Sequence, residues 1–121
     1  LTELPRDLAL ASATPNYVFI TPNLCNDGHD TDCVNGEPGG LTSADAFLRE
    51  WVPQILDSAA FKQDGLLIIT FDEAEVSDST HCCNEPPGLN TPLPGITGPG
   101  GGRIGAVLLS QQLIGKKVWT K

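Results

Sequence analysis

Apolar residues along the chain occur in three short uninterrupted runs and one helical stripe. Residues 16–21 form an aromatic and β-branched run closed by Pro22, which predicts a buried strand. Residues 66–71 are continuously apolar, as in a strand covered on both faces. Residues 104–109 predict a third strand, and residues 2–11 predict a short helix.

The helical stripe lies between the first two predicted strands. Its apolar residues recur at the i, i+3, i+4, i+7 spacing of an amphipathic helix, and they are Ala44, Phe47, Leu48, Trp51, Val52, Ile55 and Leu56. Thr42 and Asp45 form a Thr-x-x-Asp capping box at its start, and Pro53 is expected to kink or restart the helix. We interpret the stripe as core. Strand, helix and strand together predict a right-handed βαβ unit in a parallel α/β sheet.

Composition excludes several functional classes. The chain has 121 residues and a net charge of −8, whereas a protein that binds duplex nucleic acid needs clustered Lys and Arg. No stretch approaches the roughly 20 apolar residues of a membrane-spanning helix. The hydrophobic fraction of 40% is too high for intrinsic disorder. There is no methionine, so we expect a chain that has been processed or cut from a longer protein.

The negative charge is concentrated in two segments. Residues 26–37 and 72–85 contain nine of the 15 acidic side chains and no Lys or Arg. Two solvated loops would account for such segments, but each of these directly follows a predicted strand. Ligands of parallel α/β sheets bind beyond the carboxyl ends of the strands. The two acidic segments follow such strand ends, so we interpret them as parts of a ligand-binding site.

Side chains of the two loops that follow these strands are expected to converge at one rim of the sheet. These residues are Asn23, Asp27, His29, Asp30, Asp72 and Glu73. Carboxylates gathered without a base repel one another unless a cation lies between them. Carboxylate, amide and imidazole donors suit a divalent ion such as Mg, Ca, Mn or Zn.

The chain has four cysteines, which are Cys25, Cys33, Cys82 and Cys83. An even number in a small acidic domain favours disulfides and an oxidising compartment, although four cysteines allow three pairings. A Cys25–Cys33 bond would close the loop around His29. The alternative is a structural zinc site that also uses His81, but the chain lacks a Cys-x-x-Cys knuckle. Without such a site, we interpret His81 as a surface histidine.

A glycine-rich segment at residues 100–105 matches the G-x-G-x-x-G pattern of dinucleotide-binding proteins. It precedes a predicted strand instead of joining a strand to a helix, so that interpretation fails. The glycines more naturally permit a close backbone approach near the site. Arg103, within the segment, is suited to contact a phosphate or to pair with a carboxylate.

Four motifs together resemble a known enzyme family. They are Thr21-Pro-Asn-Leu-Cys-Asn-Asp-Gly-His-Asp30, the helix from Ala44 to Leu56, Asp64-Gly-Leu-Leu-Ile-Ile-Thr-Phe-Asp-Glu73 and the segment from Gly98 to Leu109. They resemble the secreted bacterial phosphoesterase family, which includes acid phosphatases and is related to phosphatidylcholine-preferring phospholipases C. The resemblance implies an alkaline-phosphatase-like fold, a three-layer α/β/α arrangement with a mostly parallel sheet.

The resemblance also implies site roles. Asp72 and Glu73 match the family's metal-binding acidic pair. His29 and Asp27 match catalytic positions, with His29 contacting metal or phosphate. Asn23, Asp30 and Arg103 are then expected to bind substrate.

The family's Glu-Asn metal motif and its Ser or Thr nucleophile would lie upstream of residue 1, and its later histidine motif would lie after Lys121. We therefore expect residues 1–121 to be part of a single phosphoesterase domain, incomplete at both ends, whose partner is the remainder of its own polypeptide.

The leading hypothesis is a secreted or periplasmic metal-dependent hydrolase of phosphate esters, of the acid phosphatase or phospholipase C type. In this interpretation the chain contributes metal ligands but no nucleophile. The alternative is a secreted module that binds a divalent cation without catalysis. A full-length enzyme should cleave an ester, whereas the module should only gain stability from the cation.

Overall fold

The computed structural model describes residues 1–72, 74 and 104–113, and the structural statements below concern these residues. The chain divides into two units. The first comprises Leu1–Leu66 with the described residues after Leu109, and the second comprises Leu67–Leu109.

The first unit is helical. Helix α1 is Leu4–Leu8, α2 is Gly40–Asp57, α3 is Ala59–Asp64, and a 3₁₀ helix spans Gln111–Leu113. The predictions of a short helix near the start and of an amphipathic helix along the apolar stripe are confirmed. Helices α1 and α3 both contact α2, and the 3₁₀ helix contacts α3.

Helix α2 begins at Gly40, two residues before the predicted start. The capping box is wrong, because the carboxylate of Asp45 instead accepts a 2.6 Å hydrogen bond from Arg49 Nε one turn later. This bond raises the pKa of Arg49 above its ordinary value. The N-cap position is Gly39, and the buried Ser43 hydroxyl ties it to the helix, because its Oγ accepts the backbone N–H of Gly39 at 3.0 Å.

Pro53 does not restart the helix, because α2 continues through it to Asp57. The restart comes later, at Ser58. Its backbone is extended, and its Oγ accepts the N–H of Phe61 at 3.2 Å, which caps α3. The same hydroxyl donates to the Ile55 carbonyl at 2.8 Å. The buried Ser58 therefore ends one helix and begins the next.

The start of α2 is fixed against the preceding loop by a close backbone approach. Gly39 has a φ of 64°, and a side-chain carbon added there would overlap the carbonyl of Asp30 and lie 3.1 Å from the Cys33 sulfur. The next residue, Gly40, donates its N–H to the same Asp30 carbonyl. Only glycine combines this backbone conformation with the absence of a side chain.

The second unit contains a two-stranded sheet. Strand β1 is Leu67–Thr70 and β2 is Ala106–Leu109, as predicted from the apolar runs. They pair antiparallel, with Leu67 opposite Leu109 and Thr70 opposite Ala106. Thr70 Oγ1 also donates to the Gly105 carbonyl at 3.0 Å. Helices and a sheet are compatible with an α/β protein, but this pair is not parallel.

Two expectations about strands are not met in the described residues. Residues 16–21 form no strand, and the side chains of Tyr17 and Phe19 are 79% and 78% exposed. Strand β1 was expected to be covered on both faces, yet Ile68 is 55% exposed. Both runs have the composition of buried strands, and composition alone does not supply a covering surface.

None of the helices in the described part of the chain has the length and apolar character that a membrane crossing requires.

The contact at Gly39 gives a stability prediction. We expect Gly39→Ala to lower the free energy of unfolding by about 3 kcal/mol, because it adds steric overlap to an unfavourable backbone conformation. Gly36→Ala is the matched control: its φ is 84°, but no atom lies within 4 Å of the added carbon, so about 1 kcal/mol is expected. Urea denaturation measures both. Equal losses in the two variants would contradict the proposed contact.

Candidate functional site

Asn23 organises the start of the loop that carries most of the predicted site residues. Its carbonyl accepts the N–H groups of Asn26 at 2.8 Å and Asp27 at 3.0 Å. Its side-chain Oδ1 accepts the Asn26 backbone N–H at 3.1 Å and the Asn26 Nδ2 at 2.9 Å. The Asn23 side chain, which was predicted to bind substrate, therefore also has a structural role, because its amide oxygen holds this turn.

Two carboxylates hold His29. Asp27 Oδ1 accepts the His29 backbone N–H at 2.8 Å, and Asp30 Oδ1 lies 3.1 Å from His29 Nδ1. The Asp30 backbone N–H donates to the Leu24 carbonyl at 2.8 Å, which closes the turn. The histidine side chain is 72% exposed. A carboxylate at Nδ1 sets the orientation of an imidazole and favours the tautomer that carries its hydrogen on Nδ1.

A Cys25–Cys33 disulfide closes the loop around these residues, and it is one of the pairings that the sequence left open. Beyond it the chain turns back, with the Cys33 N–H donating to the Glu37 carbonyl at 3.1 Å and the Gly36 N–H to the Cys33 carbonyl at 2.9 Å. Cys33 is buried, whereas Cys25 is partly exposed. We define residues 23–39 as the cross-linked loop.

The structure brings Asn23, Asp27, His29 and Asp30 together in this loop. Asp72 belongs to the second unit, where it follows β1 by two residues and is exposed. Glu73 and Arg103 lie outside the described residues, as do His81, Cys82 and Cys83. Convergence of the two acidic segments at one rim therefore stays a prediction.

Sequence reasoning missed Glu37 as a neighbour of the disulfide. Its carboxylate Oε2 lies 3.2 Å from the Cys25 sulfur, and one ligand atom from each of Cys25, Cys33 and Glu37 falls within 4.8 Å of the others. The sequence signal was the Cys33-x-x-x-Glu37 spacing. This spacing brings Glu37 to the disulfide only because the chain turns at Gly36.

A cleft of about 550 Å³ lies between the cross-linked loop and the first turns of α2. The loop contributes Asn23, Asn26 and Glu37, and the helix contributes Phe47 and Trp51, among others. The two aromatic rings have centroids 6.3 Å apart and are tilted by 46°. The sequence predicted these aromatic residues as core, and the structure places them as a half-buried cleft wall.

Comparison of the sequence with known protein families identifies one that it matches. The sequence profile of the Phosphoesterase family matches residues 1–118. No solved structure gives a significant match to the chain.

Curated relatives are also found. An acid phosphatase of Aspergillus fumigatus is 37% identical over 59 residues, which is 49% of this chain and 11% of that protein. A probable acid phosphatase of Kluyveromyces lactis is 38% identical over 61 residues, 50% of this chain and 13% of that protein. A phosphate-repressible acid phosphatase of Penicillium chrysogenum is 34% identical over 61 residues, with the same coverage. The matched segment thus spans about an eighth of each of these relatives or less. These relatives are fungal, whereas the sequence motifs were compared above with a bacterial family.

The disulfide gives the second stability prediction. We expect the double variant Cys25→Ser, Cys33→Ser to lose about 2.5 kcal/mol of unfolding free energy, since the bond restricts the unfolded chain across a separation of 8 residues. Val34→Ser is the control, because it changes a fully exposed side chain in the same loop. Urea denaturation of both variants measures the difference. Unchanged stability in the double variant would show that the bond does not hold the loop.

Proposed function

The chain belongs to the Phosphoesterase family, and from this membership we propose that it forms part of an enzyme that hydrolyses phosphate ester bonds. The single observation that carries the proposal is the match of the family profile to residues 1–118. The names of the curated relatives favour the acid phosphatase type over the phospholipase C type.

We propose that residues of the cross-linked loop contact the phosphate group that reacts. Asp27 accepts the backbone N–H of His29, and Asp30 contacts the Nδ1 atom of its ring, so the residue is oriented before substrate arrives. An imidazole oriented by a carboxylate serves as a general acid or base or as a ligand to a metal. Asp27 has one carboxylate oxygen that accepts the His29 N–H, and the second oxygen has no hydrogen-bond partner among the described residues. Asn23 and Asp30 would border the substrate.

Asp72 and Glu73 would hold a divalent cation. Support comes from Asp72, which lies two residues after β1 and is exposed. Its hard oxygen donors fit Mg, Ca, Mn or Zn. When bound, such an ion neutralises the charge that develops on a phosphoryl group. Arg103 would contact the phosphate oxygens, because a guanidinium matches their geometry.

The rest of the enzyme is proposed to lie outside these residues. The family's Ser or Thr nucleophile has no match in this chain, so the isolated chain should be inactive. The remaining polypeptide would also complete a three-layer α/β/α fold with a mostly parallel sheet. A secreted or periplasmic location is supported by the Cys25–Cys33 disulfide, because such bonds persist in oxidising compartments.

The proposal is tested with the longer protein that contains this chain and with p-nitrophenyl phosphate as substrate. We expect His29→Ala and Asp72→Ala each to lower kcat/KM by about 100-fold or more, and a chelator to abolish turnover. The control is Asp32→Asn, which removes an exposed carboxylate of the same loop without touching the assigned residues. The isolated chain should show no turnover.

Specific outcomes decide between the two functions. Chelator-insensitive turnover, or full activity in Asp72→Ala, would remove the metal role. Stabilisation by calcium or zinc without ester cleavage by the longer protein would instead support the cation-binding module.

A further inference from the structure

The cleft between the cross-linked loop and α2 combines an aromatic wall with two carboxylates. Phe47 and Trp51 lie one turn apart on α2, are half-buried and have ring centroids 6.3 Å apart. Glu50 lines the cleft from the same helix, and Glu37 lines it from the loop. Among the described residues that line the cleft there is no Lys, Arg or His. The volume of about 550 Å³ is typical of sites that bind small organic groups.

The two carboxylates of the cleft have no cation within the described part of the chain. Glu37 and Glu50 are both exposed, and neither forms an ion pair with a described residue. Each Lys and Arg that the structure describes pairs with another carboxylate: Arg6 with Glu3, Arg49 with Asp45, and Lys62 with Asp57. The negative charge of the cleft therefore favours a positively charged group from outside these residues and disfavours a phosphate.

The aromatic wall selects among cations. A guanidinium is planar, stacks on the face of an aromatic ring and donates paired N–H groups to a carboxylate. The ammonium of lysine is a compact and strongly hydrated charge that matches neither geometry as well. Exposed carboxylates alone contribute little to binding, because water and salt screen them. The ring of Trp51, next to Glu50 in the sequence, therefore makes the cleft better suited to a guanidinium than to other cations.

We propose that the cleft binds an arginine side chain that a separate peptide or protein presents. The guanidinium stacks on Trp51, and the carboxylates of Glu50 and Glu37 accept its N–H groups. The aliphatic part of the arginine side chain packs against Phe47, since such stems cover apolar surface while the charged end stays polar.

The arginine site is distinct from the group of residues proposed to act on phosphate. Asp27, His29 and Asp30 belong to the same loop, but they do not line the cleft. The two carboxylates that attract a guanidinium also repel a phosphate, so the cleft does not extend the phosphate site. Binding of arginine is therefore a second property of this part of the chain, and it can be measured without any ester.

The test uses the 121-residue chain carrying Trp119→Phe, which leaves Trp51 as its only tryptophan. The N-terminus is acetylated, because Leu1 lines the cleft and its amine would compete. The probe is a short peptide with blocked ends and one arginine between Gly and Ala residues. Matched peptides replace the arginine with citrulline, which has nearly the same shape without the charge, or with lysine. We expect the arginine peptide to change the Trp51 fluorescence saturably and to bind about 10-fold more tightly than the citrulline peptide.

Variants test the two kinds of contact, with binding followed by the NMR shift of the arginine Nε–H in a ¹⁵N-labelled peptide. Trp51→Leu should weaken binding by about 10-fold and Glu50→Gln by about 3-fold. Asp32→Asn is the charge-matched control, because Asp32 is an exposed carboxylate of the loop that does not line the cleft, and it should leave binding within about twofold. Circular dichroism checks that each variant keeps its helices.

Four results would overturn the proposal. They are the absence of saturable binding, equal binding of the arginine and citrulline peptides, tighter binding of the lysine peptide, and equal losses in Glu50→Gln and Asp32→Asn. The longer protein that contains this chain should bind the arginine peptide as the chain does. Loss of binding there would mean that the remaining polypeptide fills the cleft, which would overturn a separate partner. No outcome depends on ester hydrolysis, so the proposed function is tested separately.

Discussion

The cross-linked loop depends on two constraints. One is the disulfide between Cys25 and Cys33, and the other is the contact of the Asp30 carbonyl with Gly39 and Gly40. Ordering backbone costs about 1–2 kcal/mol per residue, and this loop buries little apolar surface, with Cys33 as its buried hydrophobic residue among those described. A covalent link offsets part of that cost because it restricts the unfolded chain. The contact with α2 then fixes where the ordered loop lies.

This arrangement explains how a polar segment can carry chemistry. Catalytic groups lie on loops more often than in cores, but they act only when a rigid element positions them. Asp27 holds the backbone of His29, and Asp30 contacts its ring. The disulfide closes the segment, and the first turn of the 18-residue helix α2 anchors it. Displacements of about 1 Å at catalytic groups cost up to 100-fold in rate, so these distant contacts would matter to the reaction proposed for His29.

The local sequence pattern predicted the helices and strands better than it predicted the strands and surfaces that they pair with or pack against. The apolar stripe of α2 and the runs of β1 and β2 identified real elements, because periodicity and β-branched residues act locally. The direction of the β1–β2 pair and the state of residues 16–21 depend on which surface lies next to them, and the sequence does not contain that information. The capping box failed because α2 begins at Gly40, so that Thr42 lies inside the helix and not at its N-cap. In the site, the loop residues were predicted together because they are adjacent in sequence, whereas Glu37 required knowledge of a turn.

The exposed strand pair has a consequence for the behaviour of the chain in solution. A two-stranded ribbon is marginally stable by itself, and Ile68 and Val107 present more than half of their surface to solvent. Such a surface favours self-association, while the net charge of −8 drives identical chains apart. Salt shortens the range of that repulsion to about 8 Å at physiological ionic strength. The colloidal behaviour of the isolated chain therefore depends on ionic strength, through the balance between an apolar ribbon and the same acidic side chains that would bind a cation.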